Sequence, residues 1–283
     1  MNNKKIFIIF ILIFIFFISK NIYCQDNAKV YVIKKLEFQE INRWYAAYIK
    51  KAIKKASDEG ASLIILELDT PGGLLSSALS IKNYIIESDI PVVAYINKNA
   101  LSAGALISLS CEAIYMSDGS IIGAATPVYM KGGNIEKASE KEISAMRAAM
   151  RSSAERSKKN VRAAEAMVDE TIILTKRNDG IDLDDKTLLT LSLEEALKVN
   201  IADAKANSII EIIKLRNLSE NSTIKNVEEE KYDYILRFLI NPAVLSALIS
   251  IGIIGVYIEL KTPGFGIGGV ISIIAFSIFF FAQ

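Results

Sequence analysis

Residues 63–68, Leu63-Ile64-Ile65-Leu66-Glu67-Leu68, are apolar at every position but one, and the chain then turns through Asp69-Thr70-Pro71-Gly72-Gly73. A run of that length is short for a helix and fits a strand buried on both faces. That constrains the fold to a parallel sheet covered by helices. The neighbouring pattern repeats the alternation. Lys29 to Leu36, Pro91 to Ile96 and Glu112 to Met116 read as further strands. Between them, Glu40 to Glu59 carries a helical stripe of Trp44, Tyr45, Tyr48, Ile49 and Ile53, and Leu74 to Ser88 carries Leu75, Ala78, Ile81 and Ile85. Strands separated by helices of this length predict an α/β domain with parallel pairing.

Two short stretches carry chemistry. Gly72-Gly73 follows a strand directly, so backbone N–H groups can point into a pocket with no side chain in the way. Leu101-Ser102-Ala103-Gly104-Ala105 places Ser102 at the start of a helix predicted over Ser102 to Ser110, where the helix field favours a developing negative charge. Oxyanion donors and an exposed serine are the two halves of an acyl-transfer site. By position, the donors are Gly72 or Gly73, and Ala103. The chain contains no histidine, which excludes a Ser-His-Asp triad and requires another base. Ser139-Glu140-Lys141-Glu142 has the form of a capping box, so Lys141 falls in a first helical turn, where positive charge is opposed. Burial there would favour the neutral amine that can take a serine proton. The spacing does not separate Lys141 from Lys131 and Lys137. Taken singly, a glycine pair is an ordinary turn, a serine before a helix an ordinary N-cap, and a lysine at a helix start an ordinary solvated residue.

Both ends are directed to a membrane. Residues 1–24 have a basic start (Lys4, Lys5), an apolar run from Ile6 to Ile18 and a polar exit, the plan of a signal peptide or N-terminal anchor. Pro242 to Leu260 carries no charge before Glu259 and is long enough to span. After the break from Lys261 to Gly266, Ile267 to Phe281 is again apolar, so two membrane segments are expected over 241–283. Residues 25–205 are the expected catalytic domain, and 206–240, with Glu228-Glu229-Glu230, the expected charged linker. A formal net charge of +1 gives no field that would attract nucleic acid. The two cysteines, Cys24 and Cys111, are too few for a disulfide framework, and Cys111 reads as a buried small hydrophobe.

The ordered set DTPGG (69–73), SAGA (102–105), IIGAATP (121–127) and the Lys141 helix running into SAERSKKN (153–160) resembles the NfeD-type membrane-bound serine proteases, relatives of ClpP and signal peptide peptidase A. AMVDE (166–170), LSLEEALK (191–198) and IELKTPGFGIGG (258–269) extend the resemblance from about residue 28 to the end. It implies a ClpP/crotonase-like spiral of ββα units followed by transmembrane helices. It also implies an endopeptidase with a Ser-Lys dyad, Ser102 as nucleophile and Lys141 as base, and with no cofactor or metal. The implied substrates are hydrophobic segments of stomatin-like membrane partners, met on the extracytoplasmic side of the cell membrane, and the implied state is a homo-oligomer, a dimer or larger. Aliphatic residues flanking the dyad, Leu74, Leu75, Leu101 and Val128, are the candidate groove. Ser157-Lys158-Lys159-Asn160 lacks the Gly-Arg pair usual in the family, a change of turn rather than of dyad. Full-length relatives add further spans and an OB-like β-domain, so a chain ending at Gln283 reads as truncated or as half of a split gene. A pseudoenzyme that binds a membrane partner is the main rival reading. An acyl-CoA-handling crotonase is a third, disfavoured by secretion.

Overall fold

The computed structural model describes residues 28–34, 40–184, 186–219, 221–227, 231–261 and 266–282. The signal-like segment 1–24, with Cys24, and most of the break between Lys261 and Gly266 lie outside the described residues. In chain order the elements are β1 (Lys29–Ile33), α1 (Arg43–Asp58), β2 (Leu63–Thr70), α2 (Leu75–Ile86), β3 (Val92–Leu101), α3 (Ala103–Ser110), β4 (Ala113–Met116), β5 (Ile121–Gly123), β6 (Val128–Lys131), β7 (Asn134–Lys137), α4 (Glu140–Arg156), α5 (Val161–Ala166), α6 (Lys176–Asp179), β8 (Thr190–Ser192), α7 (Leu193–Lys198), β9 (Ala204–Lys205), α8 (Ile209–Leu215), β10 (Thr223–Val227), α9 (Lys231–Leu239), α10 (Pro242–Lys261) and α11 (Ile267–Ala282).

Strands β10-β1-β2-β3-β4-β9 form one sheet in that order, every neighbouring pair parallel. Successive side chains of a strand point to opposite faces, and here both faces are dry. Tyr31, Ile33, Ile64, Leu66, Ala94 and Ile96 enter the larger core, shared with α1, α2 and α3. Val30, Val32, Leu63, Ile65, Val93 and Tyr95 enter a smaller one, closed by Ile212 and Ile213 of α8. The near-continuous apolar runs of β1, β2 and β3 follow from this double burial. Cys111 is free and buried among the larger core, and burial pushes its thiol up.

β3 is longer than the run Pro91 to Ile96 predicts. Its first half pairs with β4, and its last residues, Asn99 to Leu101, pair with β5. The extension is polar because its side chains bond sideways to β2: Asn97 Nδ2 donates to Glu67 Oε1 at 2.6 Å, and Asn99 Nδ2 to Asp69 Oδ1 at 3.1 Å. β5 in turn takes β8 as an antiparallel partner. The strand that leads into Ser102 is thus gripped from both sides.

The segment 206–240, expected as a charged linker, is largely part of the folded domain. β10 extends the sheet beside β1, and α8 covers its second face. The charge pattern misled because both elements are short and mostly exposed on one side. The hairpin β6–β7, which begins at the groove candidate Val128 and was not among the expected elements, is a separate two-stranded sheet.

The two C-terminal helices pack against each other through small residues. A Cβ on Gly255 would lie 2.5 Å from Ser272 Oγ and 2.8 Å from the Gly268 carbonyl oxygen. Ser272 Oγ donates to the carbonyls of Gly252 (3.1 Å) and Gly268 (2.9 Å). Glu259 caps the start of α11, its two oxygens accepting from the amides of Gly266 (2.6 Å) and Gly269 (2.7 Å). α10, with 20 residues, is long and apolar enough to cross a membrane; α11 is apolar but has 16.

Candidate active site

The helix α3 begins immediately after β3, and Ser102 is the single residue between them. It has φ 53° and ψ −116°, a backbone conformation that side-chain-bearing residues rarely take. Bonds on either side hold it there. The Ser102 amide donates to the Gly123 carbonyl of β5 at 2.9 Å, and the Ala105 amide donates to the Ser102 carbonyl at 3.0 Å. The ordinary role of a serine at this place is to cap the helix with its hydroxyl, and Ser102 makes no side-chain cap bond. Its Oγ is left for something else.

Gly72 is packed against that side chain. A Cβ on it would stand 2.5 Å from Ser102 Cβ and 3.0 Å from Oγ, so only glycine permits the approach. The turn is fixed from two directions. Thr70 Oγ1 accepts from the Gly72 amide at 3.1 Å. The stretch before α1 clamps the other side: the Ile41 amide donates to the Gly72 carbonyl and the Leu74 amide to the Ile41 carbonyl, both at 2.7 Å. The Gly72 amide is therefore already used. The amides of Gly73 and of Ala103, the first residue of α3, take part in no hydrogen bond among the described residues.

Lys141 stands in the first turn of α4, and the capping box is present, with Ser139 Oγ accepting from the Glu142 amide and Glu142 reaching back to the Ser139 amide. Hydrogen bonds from the Ser139 hydroxyl and amide hold the Glu142 carboxyl below its ordinary range. The burial expected for Lys141 is not found: the side chain is exposed. The apolar positions of α4 that turn inward, Met146 and Met150, lie further along the helix. Of the other two lysines, Lys137 is committed to Glu170 at 2.5 Å, and the side chain of Lys131 lies outside the described ones. Helices α3 and α4 are tied at their far ends, where Ser110 Oγ and Ser153 Oγ meet at 3.2 Å in the core and Arg156 donates to the Ser110 carbonyl at 3.3 Å. Sequence reading missed these ties and the Thr70 and Gly123 contacts. Nothing in a polar residue's identity announces which carbonyl it will meet.

Among the proposed groove residues, Leu74 and Val128 are exposed, Leu101 is half-buried, and Leu75 packs on the core. A cavity of about 610 Å³ opens elsewhere, beside Pro91, Val92, Glu112, Arg156, Lys159 and Asp203. Val92 begins β3 and Leu101 ends it, so this cavity opens at the opposite end of that strand from the serine, and none of its lining residues belongs to the candidate site. It takes no part in the site. No group of acidic, cysteine or histidine residues able to hold a metal occurs among the described residues.

Residues 29–227 match the NfeD1b N-terminal domain, and residues 243–283 match the NfeD integral membrane domain. The chain belongs to the NfeD family. It is 34% identical over 264 residues to membrane protein NfeD1b of Bacillus subtilis, covering 92% of this chain and 58% of that one. It is 29% identical over 229 residues to the membrane-bound protease PH1510 of Pyrococcus horikoshii, covering 74% and 48%. This NfeD-family chain thus spans about half the length of the curated relatives it matches. Its fold matches a serine-to-alanine mutant of the 1510-N membrane-bound stomatin-specific protease with a TM-score of 0.61 at 28% identity, over 72% of this chain and 99% of that one. A lysine-to-alanine mutant of the same protease in complex with a substrate peptide matches with a TM-score of 0.63 at 27% identity, over 76% and 98%. The mixed α/β fold expected from the resemblance is therefore present, and the family's integral membrane domain makes this a membrane protein.

Proposed function

We propose that this NfeD-family chain is a membrane-anchored serine endopeptidase in which Ser102 is the nucleophile and Lys141 the general base. The observation that supports it best is the strained, uncapped Ser102, packed on the Gly72 turn and followed directly by the unbonded amide of Ala103. Lys141 Nζ takes the hydroxyl proton as Ser102 Oγ adds to the scissile carbonyl. The amides of Gly73 and Ala103 then stabilise the oxyanion, a contribution of roughly 2.7–4 kcal/mol per donor. The proton passes to the leaving amine, and a water deprotonated by the same lysine releases the acyl group and restores Ser102.

The step needs a neutral amine. Lys141 is exposed in the single chain, so a bound peptide, or a second copy in the expected homo-oligomer, is what withdraws it from water; desolvation favours the uncharged amine. The substrate class proposed is an apolar segment of a membrane protein, stomatin-like by analogy with the named specificity of the 1510-N protease. Leu74, Leu101 and Val128 are the proposed contacts, and the proposed location of the catalytic domain is outside the cytoplasm.

Lys141 exposure is also what a catalytically inactive scaffold would show, and one experiment separates the readings. The purified full chain is incubated with apolar peptides, alongside Ser102→Ala, Lys141→Ala and the double variant. Each single variant should abolish cleavage while melting like the parent, and the double should be no worse than either, because residues acting as a unit are not additive. Cleavage that persists in Ser102→Ala, or no trapping of Ser102 by a serine-reactive phosphonate, would sink the reading.

A further inference from the structure

Helix α9 (Lys231–Leu239) falls between the two stretches that match known domains, which end at 227 and resume at 243. It is sharply two-sided. On one side Leu236, with Ile240 just beyond the helix, packs against the main core. Asp233 is buried and paired with Lys51 of α1 at 3.5 Å. The Arg237 guanidinium lies over the Trp44 ring at 5.9 Å and over Tyr234 at 5.3 Å. On the other side Tyr234, beside Arg237, and the apolar Ile235 and Phe238 are 53%, 58% and 65% exposed. Phe238 stands three residues after Ile235 and four after Tyr234, so the three share one face.

The chain itself says what covers this face. Asn241 is all that separates Ile240 from α10, the helix long enough to cross a bilayer, and α9 touches both α10 and α11. A face joined so closely to the start of a span is held at the depth where hydrocarbon meets headgroups. Aromatic and aliphatic residues on one side of a short helix suit that layer. We propose that α9 is an interfacial helix whose Tyr234, Ile235 and Phe238 are buried in the lipid surface, seating the folded domain on the membrane. The inference rests on the membrane domain alone and not on the catalytic reading. Burial of apolar surface drives it rather than charge: the preceding Glu228-Glu229-Glu230 would repel anionic lipid. Zwitterionic lipid is therefore sufficient.

The seat also fixes which way the domain faces. Trp44, under Arg237, stands three residues after Ile41, whose backbone clamps the Gly72 turn against Ser102. The α9 seat is thereby linked, through Trp44, to the segment that clamps the candidate site.

The test uses the full chain in phosphatidylcholine vesicles. Trp44 is the sole tryptophan and is buried in the domain, so the parent chain supplies the unquenched reference. Phe238→Trp should shift its emission to the blue. It should lose fluorescence to lipids brominated near the headgroup end of the acyl chain, and lose less to lipids brominated near the tail end. Ile235→Trp repeats the measurement should the first variant fold poorly. Water-like emission without quenching would overturn the proposal, because the face is then solvated. A blue-shifted but unquenched signal would overturn it in favour of a second protein chain, and stronger quenching from the tail end would make α9 part of the span.

Discussion

Replacing Gly72 with alanine is the sharpest probe of the candidate site, because one added methyl meets the proposed nucleophile itself. Its Cβ would lie 2.5 Å from Ser102 Cβ, 3.0 Å from Oγ and 3.3 Å from the Leu101 carbonyl, at a φ of +119° that disfavours any side chain. Backbone strain of this kind costs about 1–3 kcal/mol, and overpacking a filled space costs about 1–3 kcal/mol. Together they set a loss of roughly 2–6 kcal/mol unless the neighbours give way. The neighbour most free to give way is Ser102, and displacing a reacting atom by about 1 Å costs on the order of 100-fold in rate. Gly119→Ala is the matched control, since Gly119 has φ +73° and nothing within 4 Å of its added Cβ. It should lose only the left-handed penalty of about 1–2 kcal/mol and keep its activity. The assay is thermal melting of the detergent-solubilised chain together with kcat for an apolar peptide. Gly72→Ala should melt lower than Gly119→Ala and lose about 100-fold in kcat. Equal melting of the two variants, or wild-type kcat in Gly72→Ala, would refute the coupling between this turn and the serine.

Asp169 should contribute to stability in a pH-dependent way. The Thr171 hydroxyl and amide and the Arg147 guanidinium hold its carboxyl below the ordinary range against its partial burial. A depressed folded pKa stabilises above the unfolded value of about 3.9 and is lost as pH falls through the folded one. Asp169→Asn should thus melt below the parent at pH 7, by about 1.5–3 kcal/mol for hydrogen bonds to a charge, and the gap should close below about pH 4. For topology, protease added outside intact spheroplasts should digest the folded domain; digestion only after the inner membrane is opened would invert the orientation proposed.

The parallel core was legible because double burial leaves a direct mark, uninterrupted apolar runs such as Ile64 to Leu66 and Val92 to Ala94. The turn beside Ser102 was legible for another reason: Pro71 cannot continue a sheet ladder, and Gly72-Gly73 can take the positive φ that other residues avoid. Elements whose stability comes from pairing rather than pattern were not. Asn97 and Asn99 read as the end of a strand until Glu67 and Asp69 are placed opposite them. β10, Thr223-Ile224-Lys225-Asn226-Val227, is mostly exposed and reads as linker. The approach of Gly72 to Ser102, thirty residues away, and the exposure of Lys141 are matters of three-dimensional placement that local composition does not encode.

The pairing of β10 with β1 sets an order of events during synthesis. Lys29 lies opposite Thr223, so the sheet's outer strand has no neighbour on that side until nearly the whole domain has been made. Contacts between such distant segments form slowly, because the intervening chain must first be brought to order. The strand that closes this edge is followed directly by α9 and α10. Completion of the sheet and arrival of the membrane anchor are therefore consecutive. A domain cut short before Thr223 would still expose the edge of β1, an apolar strand whose open edge invites pairing with another chain.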